Sequence, residues 1–107
     1  MGDYKAFIPM SETAYYILLS LIQERHGYAI MQYVSEITKE RINLGPGTLY
    51  GTLSKLEQAK LVKMTNEENK RKYYKITNDG ILLLQEEVNR IKELYHNGLE
   101  VFRYGEQ

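Results

Sequence analysis

The interval between apolar residues changes twice along this chain, from a helical period to a strand period and back, and that order limits the fold more than any other feature. Ala14, Ile17, Leu18, Leu21 and Ile22 recur at intervals of three and four behind Ser11, whose hydroxyl suits an N-cap ahead of Glu12. A first helix is therefore predicted over residues 12–24, stopped by His26-Gly27. Ile30, Met31, Val34 and Ile37 make a second stripe, predicted over 28–39, with Lys39 and Arg41 near its negative end. After a short extended link at 42–44, Gly45-Pro46-Gly47 opens a third helix, with proline at the first helical position, where no amide donor is missed. Leu49, Leu53 and Leu56 are its inner face. At about 100° per residue, the outer face holds Gly47, Gly51, Ser54, Lys55 and Gln58, flanked by Thr48 and Tyr50.

The period then becomes two. Val62 and Met64 alternate with Lys63 and Thr65, and Tyr74 and Ile76 with Tyr73 and Lys75, on either side of the polar stretch Glu67-Glu68-Asn69-Lys70, which predicts a hairpin. Thr77 caps a fourth helix whose Ile81, Leu84, Val88, Ile91 and Tyr95 return to three-four spacing, with Asn97-Gly98 as its predicted end and residues 98–107 as a separate turn. The order helix, helix, short strand, helix, hairpin, long helix is mainly α with a small β-hairpin, an α+β class. It is the order of a winged helix-turn-helix over residues 1–77 followed by a helix over 78–107 that seeks a partner helix.

Length and composition agree with one soluble domain. The chain has 107 residues, 43% apolar and 26% charged, no apolar run near the length of a membrane span, and a start, MGDYKAFIPM, without the features of a secretory signal. With no cysteine, a reducing, cytoplasmic setting and no membrane partner are expected. Net charge is zero, which argues against a broadly basic nucleic-acid binder. The distribution is uneven: residues 1–54 carry four basic and five acidic groups, 55–78 seven and three, and 79–107 three and six. Positive charge is thus gathered on the third helix and the hairpin.

A helix of about 10–12 Å fits the major groove, and a basic hairpin beside it reaches phosphates. Thr48, Ser54 and Gln58 have hydrogen-bonding groups for base edges, Lys55, Lys70, Arg71, Lys72 and Lys75 can neutralise phosphates, and Tyr50 offers a hydroxyl at the rim. A surface helix with a solvated charge run is the plainer alternative, as is a winged helix that binds protein and never touches DNA.

Four segments together resemble the PadR family of transcriptional regulators: His26-Gly27-Tyr28-Ala29-Ile30; Leu44-Gly45-Pro46-Gly47-Thr48-Leu49-Tyr50; Leu53 through Leu56-Glu57; and Arg71-Lys72-Tyr73-Tyr74-Lys75-Ile76-Thr77 with Gly80. The resemblance spans residues 26–80. It implies a sequence-specific, repressor-like regulator that binds an inverted repeat in double-stranded DNA as a homodimer joined through its first and last helices. On that basis Pro46, Gly47, Thr48 and Tyr50 match the start of the recognition helix, Lys70, Arg71 and Lys72 match the basic wing, and Ile17, Leu21, Leu84, Val88, Ile91 and Tyr95 are expected at the dimer contact. Gly45 departs from the serine often found there, removing a hydroxyl that could cap the helix or touch a phosphate.

The resemblance also implies a small aromatic effector, for which Tyr15, Tyr16 and Tyr95 are the candidates among the ten tyrosines; without tryptophan, the stacking residue of some drug-sensing relatives is missing. His26 and His96 stand far apart and no cysteine accompanies them, so no metal and no cofactor are expected. No phosphate-cradling glycine loop, nucleophile elbow or nucleophile-base spacing marks an enzyme. His26 is expected to pack and cap the corner between the first two helices.

Overall fold

The computed structural model describes residues 4–104; residues 1–3 and 105–107, the outer tips of the two predicted parts, lie outside the described residues. A 3-10 turn over Tyr4–Phe7 leads into α1 (Glu12–Ser20), β1 (Arg25–His26) and α2 (Gly27–Ile37). Then follow α3 (Pro46–Gln58), the hairpin β2 (Val62–Glu68) and β3 (Arg71–Ile76), and α4 (Asn78–Tyr104).

The predicted helix starts hold. The Ala14 amide donates to Ser11 Oγ at 3.1 Å at the head of α1. Pro46 is the first residue of α3, and Gly45 occupies the N-cap without a side-chain bond, which costs only a few tenths of a kcal/mol relative to a capping hydroxyl. Thr77 serves two elements at once: its hydroxyl accepts from the Gly80 amide at 3.1 Å and donates to the Lys60 carbonyl at 2.8 Å, tying α4 to the end of α3. Gly80 is needed there, because a Cβ would run into the Leu61 carbonyl oxygen and lie 2.6 Å from Ile76 Cγ1.

Three boundaries differ from the sequence reading. First, α1 ends at Ser20 and not at 24, because residues 25 and 26 leave the helix to form a strand: Arg25 pairs with Tyr74 and His26 with Tyr73, and the Ile76 amide donates to the Leu21 carbonyl at 2.8 Å. The third strand of the sheet, ordered β1-β3-β2, therefore precedes α2, and the link at 42–44 stays irregular. Second, α2 stops at Ile37, since Lys39 and Glu40 adopt positive φ (52° and 64°) and the Thr38 hydroxyl bonds back to the Val34 carbonyl at 2.7 Å. Arg41, expected beside the end of α2, pairs with Glu12 instead. Third, α4 continues through Asn97-Gly98 to Tyr104 as 27 unbroken residues. One glycine inside a helix costs only about 1 kcal/mol, and neither residue takes the left-handed conformation that closes a helix.

The hairpin turns through Asn69 and Lys70, both at positive φ (52° and 65°), the conformation of a two-residue turn that matches strand twist. A bulge between Met64 and Asn66 shifts the register of β2; Val62, Tyr74 and Ile76 are buried, whereas Met64, opposite Tyr74, is exposed.

One core joins all of these elements. Ile17 and Leu18 of α1 and Leu21 at its C-cap meet Ile30 and Val34 of α2, Leu49, Leu53 and Leu56 of α3, and Leu61, Val62 and Leu83, all with essentially no exposure. Each such side chain stabilises the fold by about 1.5–3 kcal/mol. Ile17 and Leu21, expected at a dimer contact, are corrected by this: they are spent inside the chain's own core, and Leu84 is nearly so, leaving them no surface for a partner. The cause is their place on the inner side of α1 and its C-cap, which packs against α2, α3 and α4.

Glu87 is also fully buried. Its carboxylate accepts from the Met10 amide at 2.8 Å and takes a two-pronged contact from Arg90, at 2.8 and 2.9 Å, so the burial of its charge is compensated. The Arg90 guanidinium, helped by the Met10 amide, holds the carboxyl below its ordinary range against the opposing effect of desolvation. Beside it Tyr4 donates to Glu86 at 2.8 Å, so two consecutive carboxylates fasten the N-terminal segment to α4.

Candidate nucleic-acid interface

Helix α3 divides cleanly by face. Leu49, Leu53 and Leu56 are fully buried, which turns Pro46, Gly47, Thr48, Tyr50, Ser54, Lys55 and Gln58 to the outside together, all exposed. Gly47 and Gly51 have open space where a Cβ would stand, so nothing inside the chain requires them. They leave the helix backbone bare on its outer side.

The hairpin projects next to this face. Lys70, Arg71 and Lys72 at its tip, together with Tyr50 of α3 and His26, Gly27 and Tyr28 at the head of α2, enclose an open cleft of about 430 Å³. Tyr74 forms its inner wall; desolvation above all, reinforced by the Glu57 and Glu67 carboxylates, raises its hydroxyl pKa. The hairpin tip is not uniformly basic, since Glu67 stands opposite Lys72 and Glu68 opposite Arg71 across the ladder. Lys75 lies on the strand face opposite Tyr74 and Ile76 and, unlike Lys70, Arg71 and Lys72, does not line the cleft.

Residues 17–86 match the transcriptional regulator PadR-like family. The chain belongs to that family. This PadR-like chain is 35% identical to an uncharacterised protein of Lysinibacillus sphaericus over 96 residues, covering 78% of the chain and 88% of that protein. It is 26% identical to the transcriptional regulator YqjI of Escherichia coli over 69 residues, or 64% of the chain, but spans only 33% of that longer protein. Among solved structures, a PadR-like transcription factor from Bacteroides fragilis superposes with a TM-score of 0.72 at 27% identity, covering 92% of this chain and 98% of the other. The fold is thus the PadR winged helix, and the chain is a DNA-binding transcriptional regulator, a function without enzymatic chemistry.

The PadR-like chain carries four cleft residues outside the predicted contact set: His26, Gly27, Tyr28 and Tyr74. Gly27 and Tyr28 line the cleft because β1 pins His26 against Tyr73, their rings edge to face at 5.2 Å, and so brings the head of α2 under the wing. His26 caps α2 as expected, its Nδ1 accepting from the Ala29 amide at 3.4 Å. A two-residue strand has no alternation to read, so no periodic signal announced this placement.

The predicted effector trio is split. Tyr15 and Tyr16, edge to face at 5.5 Å, border a cavity of about 350 Å³ with Met10, Glu12, Glu87, Arg90 and Ile91. Tyr95 lies farther along α4, on a separate depression of about 280 Å³ formed with Leu94, Gly98, Leu99 and Phe102. Tyr95 lies one helical turn beyond Ile91, the last residue of α4 to border the first cavity. Among the described residues no group of three or more histidines, cysteines or carboxylates is arranged to hold a metal ion, and no helix is long and apolar enough to cross a membrane.

Proposed function

We propose that the chain is a sequence-specific repressor that binds an inverted repeat in promoter DNA as a homodimer. The carrying observation is the juxtaposition of the small, polar outer face of α3 with the basic hairpin tip around one cleft. In this reading residues 1–77 read DNA: Pro46, Gly47, Thr48, Tyr50, Ser54 and Gln58 enter the major groove, and Lys55, Lys70, Arg71 and Lys72 hold phosphates.

Residues 78–107 join the two copies. Support comes from the distal part of α4, where Ile91, Leu94, Tyr95, Leu99, Val101 and Phe102 are all exposed, Phe102 by 87%. Gly98 leaves a hollow among Leu94, Tyr95, Leu99 and Phe102 into which a side chain of a facing helix fits. Val88, also exposed, extends the same stripe toward the core. A small aromatic effector is placed at the Tyr15–Tyr16 cavity, which borders α4 at Arg90 and Ile91 and so adjoins the proposed dimer contact.

Footprinting on the DNA upstream of the chain's own gene tests this reading. Two protected half-sites about one helical turn apart, roughly 10 base pairs, are expected. Protection no stronger than on unrelated DNA would refute sequence-specific binding and favour a protein-binding winged helix.

A further inference from the structure

Gly27, the first residue of α2, stands in direct contact with the outer face of α3. A Cβ built on it would collide with Tyr50 Oη, lie 2.9 Å from Tyr50 Cζ and approach Leu49 Cδ2 at 3.3 Å. Tyr50 is half exposed, whereas Leu49 is fully buried among core side chains and has no space to yield. The end of the Tyr50 ring therefore occupies the volume that any side chain at position 27 would claim. The direction left open to the ring is the cleft of about 430 Å³ toward Lys70, Arg71 and Lys72.

We propose that Gly27 is a positioning residue for DNA binding: its missing side chain is the seat of the Tyr50 ring end and keeps that ring out of the space between α3 and the wing. The inference rests on the DNA-binding reading of that cleft. With Tyr50 seated, its hydroxyl lies at the rim and the basic tip stays open to a phosphate. With Tyr50 displaced, the ring fills the entrance between the two elements that must contact DNA together.

Four proteins test it: the wild type, Gly27→Ala, Tyr50→Ala and the double variant, each titrated with a duplex covering the upstream region of the chain's own gene and each unfolded thermally without DNA. Gly27→Ala should weaken DNA binding about tenfold, in the range of couplings between touching residues. In the Tyr50→Ala background, itself weaker, the same change should alter affinity less than about twofold. The thermal midpoints should show the same relief, Gly27→Ala lowering the midpoint only where Tyr50 is present, and the double variant serves if Gly27→Ala alone does not fold. An equal loss of affinity in both backgrounds, or no loss in either, would overturn the proposal. So would thermal midpoints without coupling in a chain that binds DNA normally. A wild-type chain that binds no duplex overturns the DNA reading itself, and this role of Gly27 with it.

Discussion

The outer face of α3 and the distal half of α4 are both exposed, yet they are made of opposite materials. On α3 the uncovered residues are, apart from Pro46 and Tyr50, glycine, threonine, serine, lysine, glutamate and glutamine, groups that water satisfies as well as a partner does. On α4 beyond Arg90 they include Leu94, Tyr95, Leu99, Val101 and Phe102, which water does not. The first face can stay open and wait for a polar ligand. The second gains stability when another apolar surface covers it. The same helix shows the contrast along its length, since Leu83, Leu84 and Glu87 are buried against the winged-helix core while every side chain from Ile91 to Arg103 is exposed.

Converting the apolar face to a charged one gives the largest expected effect. Leu94→Glu with Leu99→Glu should leave a folded monomer by light scattering, because neither side chain belongs to the core, and should weaken operator binding about 100-fold as the two half-sites lose their linkage. A dimer that persists would place the interface elsewhere. On the polar face, Lys72→Ala should weaken all duplexes alike and reduce the slope of log affinity against log salt by about 1.8, one phosphate contact in each of the two copies; Lys75→Ala, outside the cleft, should change the slope less.

Gly51→Ala should separate stability from binding. An exposed helix-interior glycine replaced by alanine gains about 1 kcal/mol of stability, and the new methyl group meets nothing within the chain. Weaker DNA binding by this more stable variant would mark α3 as a helix approached closely along its backbone, and unchanged binding would remove Gly51 from the contact.

The smallest effect concerns pH. The Glu87 carboxyl is held below its ordinary value of 4.5 in the folded chain by Arg90 and the Met10 amide. A group depressed on folding contributes stability that is complete above its unfolded value and is lost as pH falls through the folded one. Thermal midpoints should therefore decline below about pH 4.5, and Glu87→Gln should flatten that acid limb while lowering the midpoint near neutrality.

Much of this was legible in the residues because it rests on periodicity. The core face of α3, the cap at Thr77 and the hairpin around Asn69-Lys70 follow from local spacing and turn chemistry. What local pattern could not show was where tertiary contacts win. The β1 pairing ends α1 early, the core takes up Ile17 and Leu21, and Tyr95 stands on the part of α4 beyond the core, away from Tyr15 and Tyr16. An acid such as Glu87 has no local pattern that marks it for burial, and only the fold brings Arg90 and the Met10 amide to meet it inside.

The most direct test is a salt titration of binding to the upstream duplex and to an unrelated duplex of equal length. Lys55, Lys70, Arg71 and Lys72 in each of two copies predict a slope of about −7 in log affinity against log salt, or about −4 if only one copy is engaged, with the upstream duplex bound more tightly throughout. A flat response, or identical curves for the two duplexes, would contradict sequence-specific DNA binding by α3 and the wing.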